Sequence, residues 1–256
     1  MLEDRKAAED LLDKVVKESR KHVNNAKREL NAFKANYLEL LDAHTKSDGT
    51  LNKSRISSMQ DELDSYAVEY GNIVEENTEN SVNAALAIVL LLLIPSGRLA
   101  REYRLGFDDV YNTRLIDGKT LRDRVLINRG TLQDKLRTHI RTGAYSNTPI
   151  HEIYANISKQ IDDDFWKEQS IIVSETNNIY RKQVGEIAKS LGDEYVQFYE
   201  SQLCTSRNHK NHRCHILAHE DRYGLGEGVF KVTDTEIYYP HTNCRGFIGF
   251  YNGGDA

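Results

Sequence analysis

All three cysteines lie in the last fifth of the chain, together with five of its nine histidines. In the stretch HTNC, His241 and Cys244 stand three residues apart, directly after a proline and between two runs rich in aromatic residues. Ligands at this spacing at the end of a strand can bend onto one ion, as the cysteines of a CxxC knuckle do. Because zinc prefers thiolate sulfur and imidazole nitrogen, HTNC predicts one half of a structural zinc site.

The other half of the site is predicted from Cys204 and Cys214, which are separated by nine residues. The predicted zinc ligands are therefore Cys204, Cys214, His241 and Cys244, with His215 or His219 as alternative ligands. A set of buried thiols beside solvated loop histidines is the other interpretation of the same residues. An odd number of clustered cysteines does not fit a secreted disulfide scaffold, so we expect a reducing compartment.

The same loops contain the residue types of a metal-dependent nuclease. A catalytic metal requires an open coordination position and a nearby carboxylate, and Glu220 and Asp221 directly follow His219. An HNH-like nuclease or another nucleic-acid-processing protein is therefore the alternative function, although no ββα pattern follows RCHILAHED. The chain has no P-loop, and GLGEG at 224–228 lacks the GxGxxG spacing. We predict that the protein is not an enzyme.

Two long amphipathic helices are predicted to begin the chain. Apolar residues recur every three or four positions within 3–45, and the same rhythm returns after a polar break at 46–54. Two striped helices joined by a short turn that contains glycine should form an antiparallel hairpin. The second helix is expected to end at Pro95, because proline cannot continue helical hydrogen bonding.

The most apolar run of the chain, AALAIVLLLLI at 84–94, closes this second helix. Its eleven residues extend about 16 Å as a helix, against about 30 Å for the hydrocarbon core of a bilayer. We expect the run to be buried among other helices or in a groove of a partner protein. Contact with a membrane is the alternative.

Charge is unevenly distributed along the chain. Residues 61–80 carry seven acids and no base, whereas nine of the eighteen arginines lie within 98–141. We interpret this arginine-rich segment first as a solvated face that forms salt bridges with the acidic helix. Non-specific contact with DNA phosphates is the alternative.

The middle of the chain is also predicted to be helical. Residues 96–145 should form shorter helices that break at the four glycines Gly106, Gly118, Gly130 and Gly143. A long helix is predicted to follow, with Thr148 as its N-cap and Gly192 as its C-terminal stop. Its buried face is predicted to include Trp166.

Beyond Gly192 the sequence changes to short runs of aromatic and β-branched residues separated by loops rich in histidine or glycine. The runs EYVQFYES, GVFKV, EIYY and GFIGFY predict a small sheet. The predicted fold is mainly α, with a long N-terminal helical hairpin and a helical middle followed by a small, β-rich, zinc-stabilised C-terminal module (α+β). The predicted domains are 1–95, 96–192 and 193–256.

The order of these features resembles the C-terminal region of phage minor head proteins, the head morphogenesis proteins of the Mu F-like family. There, a helix with an RTE-type stretch leads to a strand, a pair of cysteines and a closing HPNCRC motif. The corresponding residues here are Glu175, Thr176 and Asn177 for the helix, Cys204 and Cys214 for the pair, and His241, Asn243, Cys244 and Arg245 for the closing motif. Thr242 replaces the family's proline and Gly246 its last cysteine; the resemblance covers roughly residues 145–250.

The resemblance implies a structural role in head assembly and in DNA packaging or ejection. The implied partners are the portal protein, the major capsid protein or a scaffolding protein. The implied location is the virion, at the capsid interior or the portal vertex, and the host cytoplasm during assembly.

Overall fold

The computed structural model of the protein describes residues 2–93, 112, 118–201 and 209–253. Within this part of the chain there are five α-helices and one three-stranded antiparallel sheet, so the predicted fold class, mainly α with a small C-terminal sheet, is confirmed. The helices are α1 (Leu2–Ala43), α2 (Ile56–Leu93), α3 (Leu121–Tyr145), α4 (Ile150–Ser190) and α5 (Arg213–His219). The strands are β1 (Tyr195–Tyr199), β2 (Val229–Lys231) and β3 (Phe247–Phe250). None of the described helices combines the length and the apolar character needed to cross a bilayer.

The contacts divide the chain into two compact units, and neither unit is continuous in sequence. Unit 1 consists of Met1–His22, Thr78–Leu121 and Ile171–Ala256, and unit 2 of Val23–Asn77 and Arg122–Ser170. The predicted domains follow chain order, whereas α1, α2 and α4 each contribute residues to both units. These helices contribute to both units because they are long: a helix of about 40 residues extends about 60 Å, which is more than the width of one compact core.

Unit 2 contains the half of the predicted helical hairpin that includes its turn, Val23–Asn77. Phe33 of α1 packs its ring against Tyr66 and Tyr70 of α2, and Tyr37 packs edge-on against Tyr66. Residues later in α1 therefore meet residues earlier in α2, which is antiparallel packing. The connecting turn has Gly49 at a φ of 77°, the left-handed region that glycine adopts without strain.

Two glycines that were predicted to break helices lie inside α3. Gly130 and Gly143 are helical, and the prediction of breaks there is wrong. At Gly143 a Cβ atom would lie 2.5 Å from the Cδ1 of Ile153 in α4, so the glycine permits close packing of two helices. Gly118 lies before α3 with a φ of 75°, and Gly106 is outside the described residues.

The long helix α4 ends as predicted at Gly192, which has a φ of 88°. The Gly192 N–H donates to the Lys189 carbonyl at 3.1 Å, and the Asp193 N–H donates to the Ala188 carbonyl at 3.0 Å. These two bonds form a Schellman motif, which satisfies carbonyl groups at the end of the helix.

Trp166 was predicted on the buried face of α4 and is 65% exposed, so that prediction is wrong. The buried stripe continues instead through Asp164 and Glu168, which are 5% and 2% exposed. Hydrophobic periodicity could not reveal this continuation because two acidic residues occupy the inner positions.

The sheet of unit 1 has the order β2-β1-β3, with Val196 and Phe198 of the central strand directed into the core. Three of the four predicted strands are present. The exception is EIYY, where Thr235–Ile237 form a 3₁₀ helix, so that strand prediction is wrong. Ile237 of this turn is fully buried, so the apolar residue in EIYY serves core packing and not strand pairing.

The core of unit 1 joins the sheet to the helices. Leu12 and Val15 of α1, together with Ala85 and Val89 of α2, are fully buried in the same apolar cluster as Phe198. The apolar run at 84–94 therefore packs against other helices where its side chains are described, as its composition predicts.

The burial of acidic residues on the inner face of α4 can be tested at Glu168 of unit 2. Burial raises the pKa of Glu168 to about 8, and the nearby charge of Asp164 adds to the effect. Because an unfolded glutamate titrates near 4.3, the contribution of Glu168 to stability is complete below that pH and is lost as pH rises toward 8. We expect Glu168→Gln to raise the urea midpoint relative to the parent protein at pH 9 and to change it little at pH 5.

Asp163→Asn is the matched control, since Asp163 is exposed on the same helix. Its urea midpoint should follow the parent protein at both pH values. Parallel curves for Glu168→Gln and the parent protein from pH 5 to pH 9 would show that Glu168 is ionised in the folded state.

Candidate metal centre

The HTNC stretch forms a tight turn that brings its histidine and cysteine together. The Cys244 N–H donates to the His241 carbonyl at 3.3 Å, and Asn243 has a φ of 57°. Asparagine is one of the few residues other than glycine that enters this left-handed region readily. The Asn243 N–H in turn donates to the Ser174 hydroxyl of α4 at 2.8 Å, which fixes the turn on that helix.

Three of the four predicted ligands lie together at this turn. The His241 Nε2 lies 3.1 Å from the Cys214 sulfur, and the Cys244 thiol hydrogen bonds with both Cys214 and His241. The fourth predicted ligand, Cys204, lies outside the described residues. His212, which was not predicted as a ligand, lies beside two of the predicted ones: one ligand atom from each of His212, Cys214 and His241 lies within 4.8 Å of the others.

The imidazole of His241 is oriented by its own loop. Its Nδ1 lies 2.8 Å from the Thr242 carbonyl, and because a carbonyl oxygen only accepts, Nδ1 carries the proton. Nε2 of the neutral ring then presents a lone pair toward Cys214. Histidines that bind metals commonly donate their other N–H to a carbonyl or carboxylate in this way.

The surroundings of Cys244 lower the pKa of its thiol. Hydrogen bonding with Cys214, followed by the positive charge of Arg181 and the contact with His241, holds the pKa of Cys244 well below its usual value despite burial. The pKa of His241 is raised in turn, chiefly by its hydrogen bond with Cys244. The Gly246 N–H also donates to the Cys244 sulfur at 3.3 Å. Cys214 and Cys244 form no disulfide.

Helix α4 holds the closing loop through Arg181, the largest side chain that is fully buried in the described structure. Its Nε donates to the Tyr238 carbonyl at 3.0 Å, and its Nη1 donates to the Gly246 carbonyl at 2.8 Å and to the Cys244 carbonyl at 3.4 Å. Its Nη2 donates to the Asn178 amide oxygen at 2.6 Å. One guanidinium therefore fixes the backbone on both sides of HTNC.

The stretch SETNN contributes further contacts from the same helix. The Asn177 amide donates to the Cys244 carbonyl at 3.0 Å, and the Thr176 hydroxyl lies 2.7 Å from that of Ser81 in α2. Gly246, two residues after Cys244, has no room for a side chain, because a Cβ there would lie 2.3 Å from the Phe198 ring. The buried SETNN stretch of α4 and the Cys244 end of HTNC are thus packed together within unit 1.

His215 and His219 do not join this group, although they were considered as alternative ligands. They lie with Glu200 in a second group, separate from the cluster of His212, Cys214 and His241. Adjacent residues on a helix point about 100° apart, so Cys214 faces the core while His215 faces away from it.

The group of His212, Cys214 and His241 could hold one metal ion with one sulfur and two nitrogen ligands. The buried Cys244 thiol, whose pKa responds to both Cys214 and His241, is the candidate for a fourth ligand. Within the described residues this group contains no carboxylate that could act as a base. Four protein ligands fill a tetrahedral site, and such closed sites stabilise folds.

We compared the chain with protein-family models, curated proteins and solved structures, and none of the three comparisons gives a match.

Sequence reasoning missed Arg181 and His212. Arg181 lies on the stripe of α4 that also contains Asn177, Val184 and Ala188, and a lone arginine at helical spacing among small and apolar residues is a signal of burial. His212 precedes Cys214 by two residues, a spacing that carries no signal until the backbone turns at the start of α5.

Arg181→Met is expected to destabilise unit 1 strongly. The substitution removes the guanidinium from the Tyr238 and Gly246 carbonyls, and each buried group left without a partner costs about 1–3 kcal/mol. The Cys244 carbonyl loses its weaker bond to the guanidinium and keeps the one from Asn177. We expect a loss of at least about 3 kcal/mol in the free energy of unfolding, measured with urea, together with loss of tertiary signals from the C-terminal aromatic residues.

Lys182→Met is the matched control, because Lys182 is the next residue of α4 and is partly exposed. It should change the free energy of unfolding by less than about 0.5 kcal/mol. Equal effects of the two substitutions would contradict the role given to Arg181.

Proposed function

We propose that the protein is a non-enzymatic minor head protein of a tailed phage that acts at the portal or the capsid interior. Its role would lie in head assembly and in DNA packaging or ejection. The observation that supports this most directly is the buried hydrogen bonding between SETNN of α4 and the HTNC loop. These are the two stretches on which the resemblance to the Mu F-like family rests, and they form one structure.

We propose further that the metal of this centre is zinc and that its role is structural. Two thiolates and two imidazoles are a common ligand set of structural zinc, and zinc has no redox chemistry that would make the site reactive. A small three-stranded sheet benefits from such a clamp, because metal binding adds directly to folding free energy.

The carboxylates of the nuclease alternative make contacts within their own loop. Glu220 accepts from the Arg222 guanidinium at 2.9 Å, and Asp221 accepts from the Gly226 N–H at 3.2 Å. These contacts favour a loop-forming role for both acids. A nuclease would need one of them to bind a metal or to activate water.

Partner binding would use the helical surfaces of unit 2. Trp166 is 65% exposed on α4, and a tryptophan at the surface is a frequent anchor of protein interfaces. The portal protein, the major capsid protein or a scaffolding protein would be the partner.

Contact with DNA would depend on the arginines of 98–141. Of this segment, residues 98–111 and 113–117 lie outside the described residues. At Arg137 the salt-bridge interpretation applies, because its guanidinium pairs with Asp64 of the acidic helix.

Zinc content tests the structural clamp. Protein purified without chelator should retain one tightly bound zinc ion that gives a thiolate absorption band when cobalt replaces it. Cys244→Ser should weaken that band and lower the melting temperature, since it removes one of the two thiolate ligands. His151→Ala, at an exposed position of α4, is the control and should retain both. Well-folded protein without metal and without a cobalt–thiolate band would contradict the clamp.

Particle composition tests the assembly role. The chain should be present at low copy number in heads made by the genome that encodes it, as measured by quantitative mass spectrometry. Trp166→Ala should reduce its incorporation without changing its melting temperature, whereas Gln169→Ala, at an exposed site three residues away, should not.

Absence of the chain from such heads would contradict the proposal. The nuclease alternative makes the opposite prediction, namely cleavage of DNA with a divalent metal that is lost in Glu220→Gln while the fold persists.

A further inference from the structure

A second group of metal-binding side chains lies on the outward side of α5. His215 and His219 are four residues apart, so they occupy the same face of the helix one turn from each other, with ring centroids separated by 4.4 Å. Glu200 directly follows β1, and its Oε2 lies 2.7 Å from the His215 Nδ1 and 3.8 Å from the His219 Nε2. One ligand atom from each residue lies within 4.8 Å of the others.

The fold fixes this convergence through the contact between α5 and β1. Cys214 and Leu217 anchor the inner side of α5 in the core, which leaves the histidine pair at the edge of the sheet where β1 ends. Glu200 is therefore presented to the pair by the central strand of the sheet, and not by a long loop.

The carboxylate of Glu200 provides an independent indication of a bound cation. Its side chain is only 19% exposed, and within the described residues its buried Oε1 has no hydrogen-bond partner. Leaving a buried charged oxygen without a partner is unfavourable, and a cation is one group that satisfies it.

The second carboxylate, Glu227, orients one of the imidazoles. Its Oε2 lies 2.9 Å from the His219 Nδ1, and because a carboxylate accepts, Nδ1 carries the proton and Nε2 is left to face Glu200. A carboxylate that orients a histidine in this way is the usual support of a metal-binding imidazole.

We propose that Glu200, His215 and His219 form a second metal site, distinct from the thiolate centre, that binds one divalent transition-metal ion such as Zn²⁺. The ligands are the His215 Nδ1, the His219 Nε2 and a Glu200 carboxylate oxygen. Two histidines one helical turn apart are an established way to chelate zinc. A carboxylate as the third ligand completes a site of three protein ligands.

This site differs chemically from the thiolate centre. Its donors are two nitrogens and one oxygen, a set that suits Zn²⁺, Ni²⁺ and Co²⁺ and forms no metal–thiolate bond. Because the His219 side chain is 51% exposed, the remaining coordination positions face solvent, where water or a carboxylate or imidazole from another chain can bind. The ion should therefore exchange more readily than the one held by the buried cysteines.

Cobalt titration of the full-length protein, stripped of metal and kept reduced, tests the proposal. Calorimetry counts all the Co²⁺ bound, and the cobalt–thiolate absorption counts only the ion at the cysteines. We expect two equivalents in the parent protein, with the thiolate band complete after one. His219→Ala and Glu200→Gln should each weaken the equivalent that gives no thiolate band by at least tenfold and leave the band and the melting temperature unchanged.

Two further variants sharpen the test. Glu227→Gln should weaken the same equivalent by about tenfold, as expected for loss of an orienting carboxylate. His151→Ala is the matched control and should bind as the parent protein does.

Different results would contradict the second site and the thiolate centre. A thiolate band without a second equivalent, or a second equivalent that His219→Ala leaves unchanged, overturns the proposal made here. One equivalent without a thiolate band that is lost in His219→Ala supports this second site and contradicts the thiolate centre.

Discussion

The buried guanidinium of Arg181 is the interaction on which the C-terminal half of unit 1 depends. It donates to the backbone carbonyls of Tyr238, Cys244 and Gly246, so a single side chain of α4 fixes the loop that precedes HTNC, the turn itself and the approach to β3. A short loop satisfies few of its own backbone groups, and burying them without partners would be costly. The arginine satisfies these groups and at the same time places a positive charge beside the Cys244 thiol.

The charge of Arg181 therefore links the fold to the chemistry of the centre. Together with the hydrogen bonding from Cys214, this charge holds the pKa of the buried Cys244 thiol below its usual value, which favours loss of the thiol proton to a metal. Unit 2 shows both directions, because burial raises the pKa of Glu168 to about 8, whereas Lys167 and Lys135 hold the pKa of Asp164 below its usual value despite burial. Charged or hydrogen-bonding neighbours therefore lower the pKa values of Cys244 and Asp164, whereas burial dominates at Glu168 and raises its pKa.

The short helix α5 connects the two proposed metal sites. Cys214 points inward to the thiolate group, whereas His215 and His219 point outward to Glu200. This seven-residue helix thereby supplies Cys214 to the inner site of sulfur and nitrogen ligands, and His215 and His219 to the outer site of nitrogen and oxygen ligands. The inner site would stabilise the module, and the outer site, which is accessible from solvent, would suit contact with another chain.

The sequence by itself determined the helical hairpin, the end of α4 at Gly192 and three of the four predicted strands, because periodicity and turn chemistry are local properties. It also determined that His241, Cys214 and Cys244 belong together, since few residue types bind zinc. Only the tertiary structure decided that His212 joins them, that Gly143 serves close packing and that Trp166 faces outward. These features depend on which elements meet in space, and residues that are distant in sequence carry no local signal of that meeting.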